Sequence, residues 1–207
     1  MFVTLEGIEG AGKSTLMNLL VRELEKRGLP FVRTREPGGC GLGARLRPLL
    51  LDVSSSLDSR AELFLFLADR AQHVAEIIRP ALERGEWVLC DRYADSTIAY
   101  QGYGRGMDAD RLQELNDHAT GGLWPERTLL LDLPVEEGLK RARARNGREG
   151  LSTSEGRFEA EELAFHQRIR QGFLARAARW PERFCVLDAR RSPEELLKAA
   201  VAALNLD

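Results

Sequence analysis

Cysteine is scarce in this chain. Cys40, Cys90 and Cys185 are the only three among 207 residues, far apart, with no CxxC pair and no histidine cluster nearby. An odd, scattered set excludes a disulfide framework, gives no zinc-ligand pattern, and fits a reducing cytoplasmic compartment. An excess of charge is also missing: 30 Lys and Arg stand against 32 Asp and Glu, for a formal net charge of −2. The global field therefore favours neither nucleic acid nor an anionic membrane as a partner, and any work on anions must be local. Nowhere do eighteen apolar residues run uninterrupted, and "MFVTLEGIEG" has no basic stretch leading into an apolar one, so neither a membrane span nor secretion is expected. Prolines number only 8 and hydrophobic residues make up 43%. One compact domain over 1–207 is expected, with a sizeable core and at most a small insertion.

What is present is an alternation of short apolar runs with longer stretches of helical period, the pattern of a parallel sheet covered on both faces. The runs predict strands at 2–6, 30–34, 87–91, 127–133 and 183–188, and helices at 13–27, 42–51, 58–84, 108–119, 135–145, 158–179 and 193–204. Gly28 reads as a helix stop, Asp58 and Ser192 as helix starts, and Pro193 suits a first turn. Pro80 is expected to kink the 58–84 helix or split off its last turn. The Gly- and Ser-rich "NGREGLSTSEG", 146–156, reads as an insertion and a candidate lid, with bounds near 145–157.

The first strand runs into "GIEGAGKS", residues 7–14. This is G-x-x-x-x-G-K-[ST] between a strand and a helix, the context in which the motif means a phosphate loop. Gly7, Ile8, Glu9, Gly10, Ala11 and Gly12 would turn successive N–H groups toward one phosphate chain, with Ser14 and Thr15 opening the helix whose positive end adds to the field. Lys13 would reach the outer phosphates, and Ser14 would offer its hydroxyl to Mg²⁺. Such a loop serves GTPases, motors, small-molecule kinases and nucleotide sensors alike. Asp91, ending the apolar "WVLCD", stands where a carboxylate holds Mg²⁺ through water, and Arg92 follows it. A guanine-reading N-K-x-D is absent after the later strand, which ends "LLLDLP".

Arginines recur at element ends: Arg35, Arg47, Arg70, Arg92, and the group Arg141, Arg143, Arg145 and Arg148. An acceptor that is already a phosphate is anionic at neutral pH, so its phosphorylation needs no strong base; the obstacle is repulsion between two polyanions, which fixed guanidinium forks relieve. The set suits a nucleoside-monophosphate kinase, although any single arginine, Arg143 and Arg148 in particular, also fits a solvated surface charge.

Together "EGIEGAGKST", "TREPGG", "DRYADSTIAYQGYGRG" and "GLKRARAR" stand in the order and spacing of thymidylate kinases, and the chain resembles that family over most of its length. The resemblance implies a P-loop nucleoside-monophosphate-kinase fold, a five-stranded parallel sheet flanked by helices with a mobile lid, and transfer of phosphate from ATP to dTMP with Mg²⁺. It also implies a homodimer. Phe66 would stack on thymine, though in "LFLFL" it also fits plain core packing. Arg70 would donate to O4, Thr97 and Ser96 would approach the nucleotide, Gln101 would add a base contact, and Tyr100 would press where a 2′-hydroxyl would sit. Arg92 and Arg47 would hold the acceptor phosphate, with Arg35 and Glu36 organising that side. Glu9 would turn from the ATP phosphates to accept from the 3′-hydroxyl; by residues alone it is also a solvent-facing glutamate at a tolerant position. Arg145 and Arg141, with Arg148 as a further lid candidate, would reach the ATP phosphates. A kinase for another nucleoside monophosphate or a deoxynucleoside, or a nucleotide-binding regulator without turnover, stays open.

Overall fold

The computed structural model describes residues 1–149 and 156–206, with side chains from 145 to 149 excepted. Five parallel strands, β1 (Phe2–Glu6), β2 (Phe31–Arg35), β3 (Trp87–Asp91), β4 (Arg127–Asp132) and β5 (Phe184–Asp188), form one sheet in the order β2-β3-β1-β4-β5. The order follows from composition. The central β1 is buried at all five positions, whereas the edge strand β2 has none fully buried and its polar Arg33 and Arg35 face out, as expected when only inner strands are covered on both faces.

Nine helices surround the sheet among the described residues: α1 (Lys13–Lys26), α2 (Gly41–Leu51), α3 (Ser59–His73), α4 (Arg79–Glu83), α5 (Ala94–Thr97), α6 (Ala109–Thr120), α7 (Val135–Glu149), α8 (Leu163–Arg179) and α9 (Pro193–Ala203). One apolar cluster ties β1 and β4 to α1, α8 and α9; a second ties β1 and β3 to Val74, Ile78 and Ala81. Helix starts are built locally. Asp58 accepts from Arg60 N–H, and Ser192 with Glu195 makes a reciprocal capping box before Pro193.

The structure departs from the sequence reading in three places and refines it in one, where the split expected at Pro80 comes with a π-helical turn before it. The 58–84 helix is three segments: α3, a π-helical turn over Val74–Ile78 in which Arg79 N–H reaches back to the Val74 carbonyl, and α4 with Pro80 in its first turn. Proline has no N–H to bond back and its ring crowds the carbonyl of the preceding turn, and the wider π turn immediately before it gives that ring room within a helix that otherwise runs on. The segment after β3 is helical, α5 running into a π-helical stretch over Ile98–Gly104, although its many small and polar residues gave no clean periodicity. Helix α8 begins at Leu163, not 158, because Phe158 leaves the helix path to pack on Phe66, Tyr100 and Phe165. Helix α7 continues to Glu149, into the stretch expected as a lid. The rest of that stretch, 150–155, lies outside the described residues, as do the side chains of Arg145 and Arg148.

Candidate active site

A cavity of about 740 Å³ opens at the carboxyl ends of β1 and β3, next to the position where the sheet order reverses, the usual crevice of open α/β sheets. One end of it is the loop from Gly7 to Ser14. Gly10 has φ +73°, and a Cβ there would lie 2.0 Å from the Gly138 carbonyl oxygen, so the loop is pressed against α7 at a spot only glycine can occupy. Glu9, Gly10, Gly12, Lys13, Ser14 and Thr15 line the cavity. Ile8 and Ala11 turn their side chains into the core at 3% and 1% exposure, which leaves only their backbone to face a ligand. No side chain among the described residues caps α1, and Gly12 before it is left-handed, so the first-turn N–H groups are available to an anion.

Lys13 Nζ donates to the Gly7 and Ile8 carbonyls at 2.8 and 2.9 Å. Burial, with Arg92 close by, pulls its pKa down to about 8, against the opposing pull of Asp91, Glu9 and Glu6. Asp91 lines the cavity with a buried Oδ1 that has no partner among the described residues. Next to it Arg92 takes φ 69°, one of two non-glycine residues with positive φ among those described, a strained conformation of the kind that clusters at functional sites. The guanidinium of Arg92 donates to Ser96 Oγ at 3.2 Å and Glu9 Oε1 at 3.1 Å and lies 4.9 Å over the Tyr100 ring.

Glu9 therefore faces away from the phosphate cradle. Its Oε1 accepts from Arg92 and from the Tyr100 hydroxyl, and Nδ1 of the buried His166 stands 3.5 Å from Oε2. Burial alone would raise its pKa, but His166, Arg92, Lys13 and Tyr100 together hold it well below the usual carboxylate range. Beneath the site lies Glu6, wholly buried, accepting from Tyr93 N–H at 2.8 Å and Ser96 Oγ–H at 2.6 Å. Burial and the neighbouring Asp95 push its carboxyl up to about 7, against Arg92, Ser96 and Tyr93.

The far end of the cavity is walled by Arg35, Glu36, Arg47, Phe66, Arg70, Thr97, Tyr100, Gln101 and Phe158. Arg70 is 1% exposed. Its Nε donates to Glu36 Oε2 at 2.8 Å, Nη1 donates to Thr97 and Asn116 at 2.7 and 2.6 Å, and Nη2 lies 2.8 Å from the same Glu36 oxygen. Glu36 in turn is bonded to His73 at 2.9 Å, and His73 to Thr34 at 2.6 Å. Arg47 donates to the Pro37 carbonyl at 2.8 Å. Arg141, on the exposed face of α7, pairs with Glu137 and donates to the Ala189 carbonyl at 3.1 Å. It borders both the main cavity and a smaller one of about 230 Å³ made with Gly12, Thr15, Ala189, Arg191 and Pro193.

Of the residues singled out from sequence, the structure brings Glu9, Lys13, Ser14, Thr15, Asp91, Arg92, Arg35, Glu36, Arg47, Phe66, Arg70, Ser96, Thr97, Tyr100, Gln101 and Arg141 around one cavity; Arg145 falls outside the described side chains. Sequence reasoning missed Glu6, Glu62, His73, Asn116, Phe158 and His166. A signal existed for two of them: Glu62 and His73 recur with Phe66 at i, i+4 and i+11, so charged and aromatic residues share one inward face of α3.

The family model described as Thymidylate kinase matches residues 5–200. A thymidylate kinase of Nitratidesulfovibrio vulgaris (strain Miyazaki F) is 59% identical over 206 residues, covering 99% of this chain and 96% of that one. One of Desulfovibrio desulfuricans is 60% identical over 206 residues, covering 99% and 95%. The crystal structure of thymidylate kinase from Ehrlichia chaffeensis superposes with a TM-score of 0.79 at 33% identity, covering 99% of this chain and 98% of that one.

Proposed function

The chain belongs to the thymidylate kinase family, and on that basis we propose how its cavity carries out the phosphorylation of dTMP to dTDP with ATP as donor. ATP lies along the phosphate loop, its triphosphate under the free N–H groups of α1 and its base toward the smaller cavity beside Arg191. The monophosphate lies opposite, base between Phe66 and Arg70, phosphate toward Arg92 and Arg47. An oxygen of the acceptor phosphate, already anionic, attacks the γ-phosphorus in line, and the bond to the β–γ bridging oxygen breaks to release ADP. No side chain has to remove a proton.

The observation that carries this reading is Arg92. Its strained backbone and its bond to Glu9 set a guanidinium between the loop and the acceptor wall, where charge concentrates as the two phosphates meet. Lys13 supplies the second fixed positive charge on the donor side. The unpartnered Oδ1 of Asp91 and the exposed Ser14 fit a hydrated Mg²⁺ that takes most of its ligands from phosphate and water; when bound, the ion neutralises phosphate oxygens. Consistent with that style of binding, no cluster of three His, Cys, Asp or Glu that could hold a metal occurs among the described residues.

On the acceptor side, Nη2 of Arg70 is the nitrogen with an N–H left to offer O4 of thymine, because Nε and Nη1 are committed to Glu36, Thr97 and Asn116. Glu9 accepts from the 3′-hydroxyl and Tyr100 closes the space a 2′-hydroxyl would need. Arg141 on α7 borders the cavity and would reach the ATP phosphates, with Arg145 or Arg148 of the candidate lid near 145–157 as the further arginine that does so. Phe64 on the outer face of α3 is 61% exposed, which supports pairing of two copies there; no described helix is long and apolar enough to cross a membrane. A panel of dTMP, dUMP, dCMP and thymidine tests the whole assignment. The expected order puts dTMP first in kcat/KM; preference for thymidine would remove the phosphate roles of Arg92 and Arg47, and preference for dCMP the base roles of Phe66 and Arg70.

A further inference from the structure

Glu62 has no part in the reaction described so far, yet it is 0% exposed and stands against four donor nitrogens from three side chains. Its Oε1 accepts from Gln101 Nε2 at 2.7 Å and stands 3.4 Å from Arg105 Nε. Its Oε2 takes Arg157 Nη1 at 2.8 Å and Arg105 Nη2 at 3.3 Å. Arg105 also pairs with Glu161 at 2.6 Å. Gln101 is 1% exposed and lines the cavity.

An amide can present either its oxygen or its NH₂ to a neighbour, and the neighbour decides which. A carboxylate bonded to two guanidinium groups only accepts, so Gln101 must give it NH₂, and the amide oxygen is the atom turned to the cavity. Arg70 lines the same cavity, and its Nη2, paired with Glu36 through one N–H, has a second to offer. The wall thus presents a donor and an acceptor in a fixed sense. Thymine and uracil show the complement, the O4 acceptor and the N3–H donor; cytosine shows the reverse, an amino donor at C4 and an acceptor at N3.

We infer that Glu62 is a positioning residue for acceptor choice: by fixing the sense of the Gln101 amide it makes the cavity accept a pyrimidine N3–H and reject a bare N3. This rests on the reading that Gln101 faces the acceptor base. The carboxylate also fastens Arg157 to α3.

The test exploits the asymmetry of the cluster. In E62Q the arginines at the Oε2 side claim the new amide oxygen, its NH₂ faces Gln101, and the Gln101 amide must turn over to present NH₂ to the cavity. The ratio of kcat/KM for dTMP to that for dCMP is expected to fall about tenfold or more, with KM for ATP unchanged. A general loss of order would lower both acceptors together and leave the ratio in place; that result in folded E62Q overturns the inference. If E62Q folds poorly, E62Q/R157Q removes one charge of each sign, keeps Arg105 Nη2 at the Oε2 side, and is expected to show the same fall in ratio. Q101M is run in parallel. It should lower kcat/KM for dTMP about tenfold with KM for ATP unchanged; if it does not, the base-facing role of Gln101 is wrong and the inference goes with it. A damaged Q101M beside an unchanged E62Q ratio sinks Glu62 alone.

Discussion

The two ends of the cavity are built on opposite principles. The donor end comes from one uninterrupted stretch, residues 7–15, and works through backbone: left-handed glycines, an uncapped helix start and one lysine folded onto two carbonyls. The acceptor end is assembled from side chains far apart in the chain, each held by a second buried charge: Arg70 by Glu36 34 residues away, Gln101 by Glu62 39 away, Arg92 by Glu9 83 away. The difference follows from what is recognised. A triphosphate presents acceptor oxygens on all sides, so a cradle of N–H groups suffices. A base and a sugar present donors and acceptors in a fixed order, and flexible side chains match it only when their own sense is pinned.

Arg92 is the residue that belongs to both ends, so its removal is the strongest way to break the contrast. R92A is expected to lower kcat about 10³-fold while the circular dichroism spectrum stays that of the folded protein. Steady-state kinetics that show a raised KM for dTMP with kcat retained would place Arg92 in the acceptor end only and take away its role in transfer.

A smaller effect should come from E36Q, which leaves the Arg70 fork without its counter-charge. KM for dTMP is expected to rise about 10- to 100-fold with KM for ATP within about twofold, because nothing in the Glu36–Arg70–His73 chain touches the loop. Parallel rises in both constants would show that the ends are not independent. Tm measured alongside reports the cost of leaving a buried guanidinium unpaired.

The same contrast governs what could be read in advance. The sheet, its five strands and the phosphate loop were legible because period, apolar runs and an eight-residue motif are local. The partners that fix the acceptor wall were not legible from residue chemistry alone: nothing near Arg70 in sequence announces Glu36, and nothing near Gln101 announces Glu62, since these contacts exist only after β2, α3 and the helix following β3 pack together. The turn that throws Phe158 out of α8 was hidden for a similar reason. Its stretch has good helical composition, and the gain that overrides it is aromatic packing on Phe66 and Tyr100. Resemblance to a family named Glu36 and Glu9 among the expected site residues, but not their bonds to Arg70 and Arg92, and it did not name Glu62.

A pH profile sharpens the contrast further. Lys13 titrates at about 8 in the free protein, and only its charged form draws the triphosphate. In rate measurements kcat/KM for ATP should therefore fall above pH 8, approaching tenfold per pH unit. At saturating ATP the phosphates hold the proton on Lys13, so kcat/KM for dTMP should stay flat over the same window. A fall of equal steepness in both would mean that the titrating group serves both ends.

The smallest expected effect concerns Glu6, which lies beneath the two ends and serves neither directly. Its carboxyl has a pKa of about 7 in the folded protein against 4.5 ordinarily. A raised carboxyl pKa means that the folded state prefers the protonated form. The stability this group contributes is then full below pH 4.5 and is lost as pH rises to 7, a change on the order of 3 kcal/mol. In E6Q the position stays neutral at every pH, the amide oxygen can still accept from Tyr93 N–H, and the NH₂ can donate to Ser96 Oγ. The variant should match the parent in Tm near pH 5 and exceed it at pH 8 by several degrees, at about 2–4 °C per kcal/mol for a chain of this size. Thermal melts in matched buffers decide it. A gap that is the same at pH 5 and pH 8 would mean that Glu6 is ionised throughout, held so by Arg92, and that the floor shared by the two ends is an ion pair rather than a buried acid.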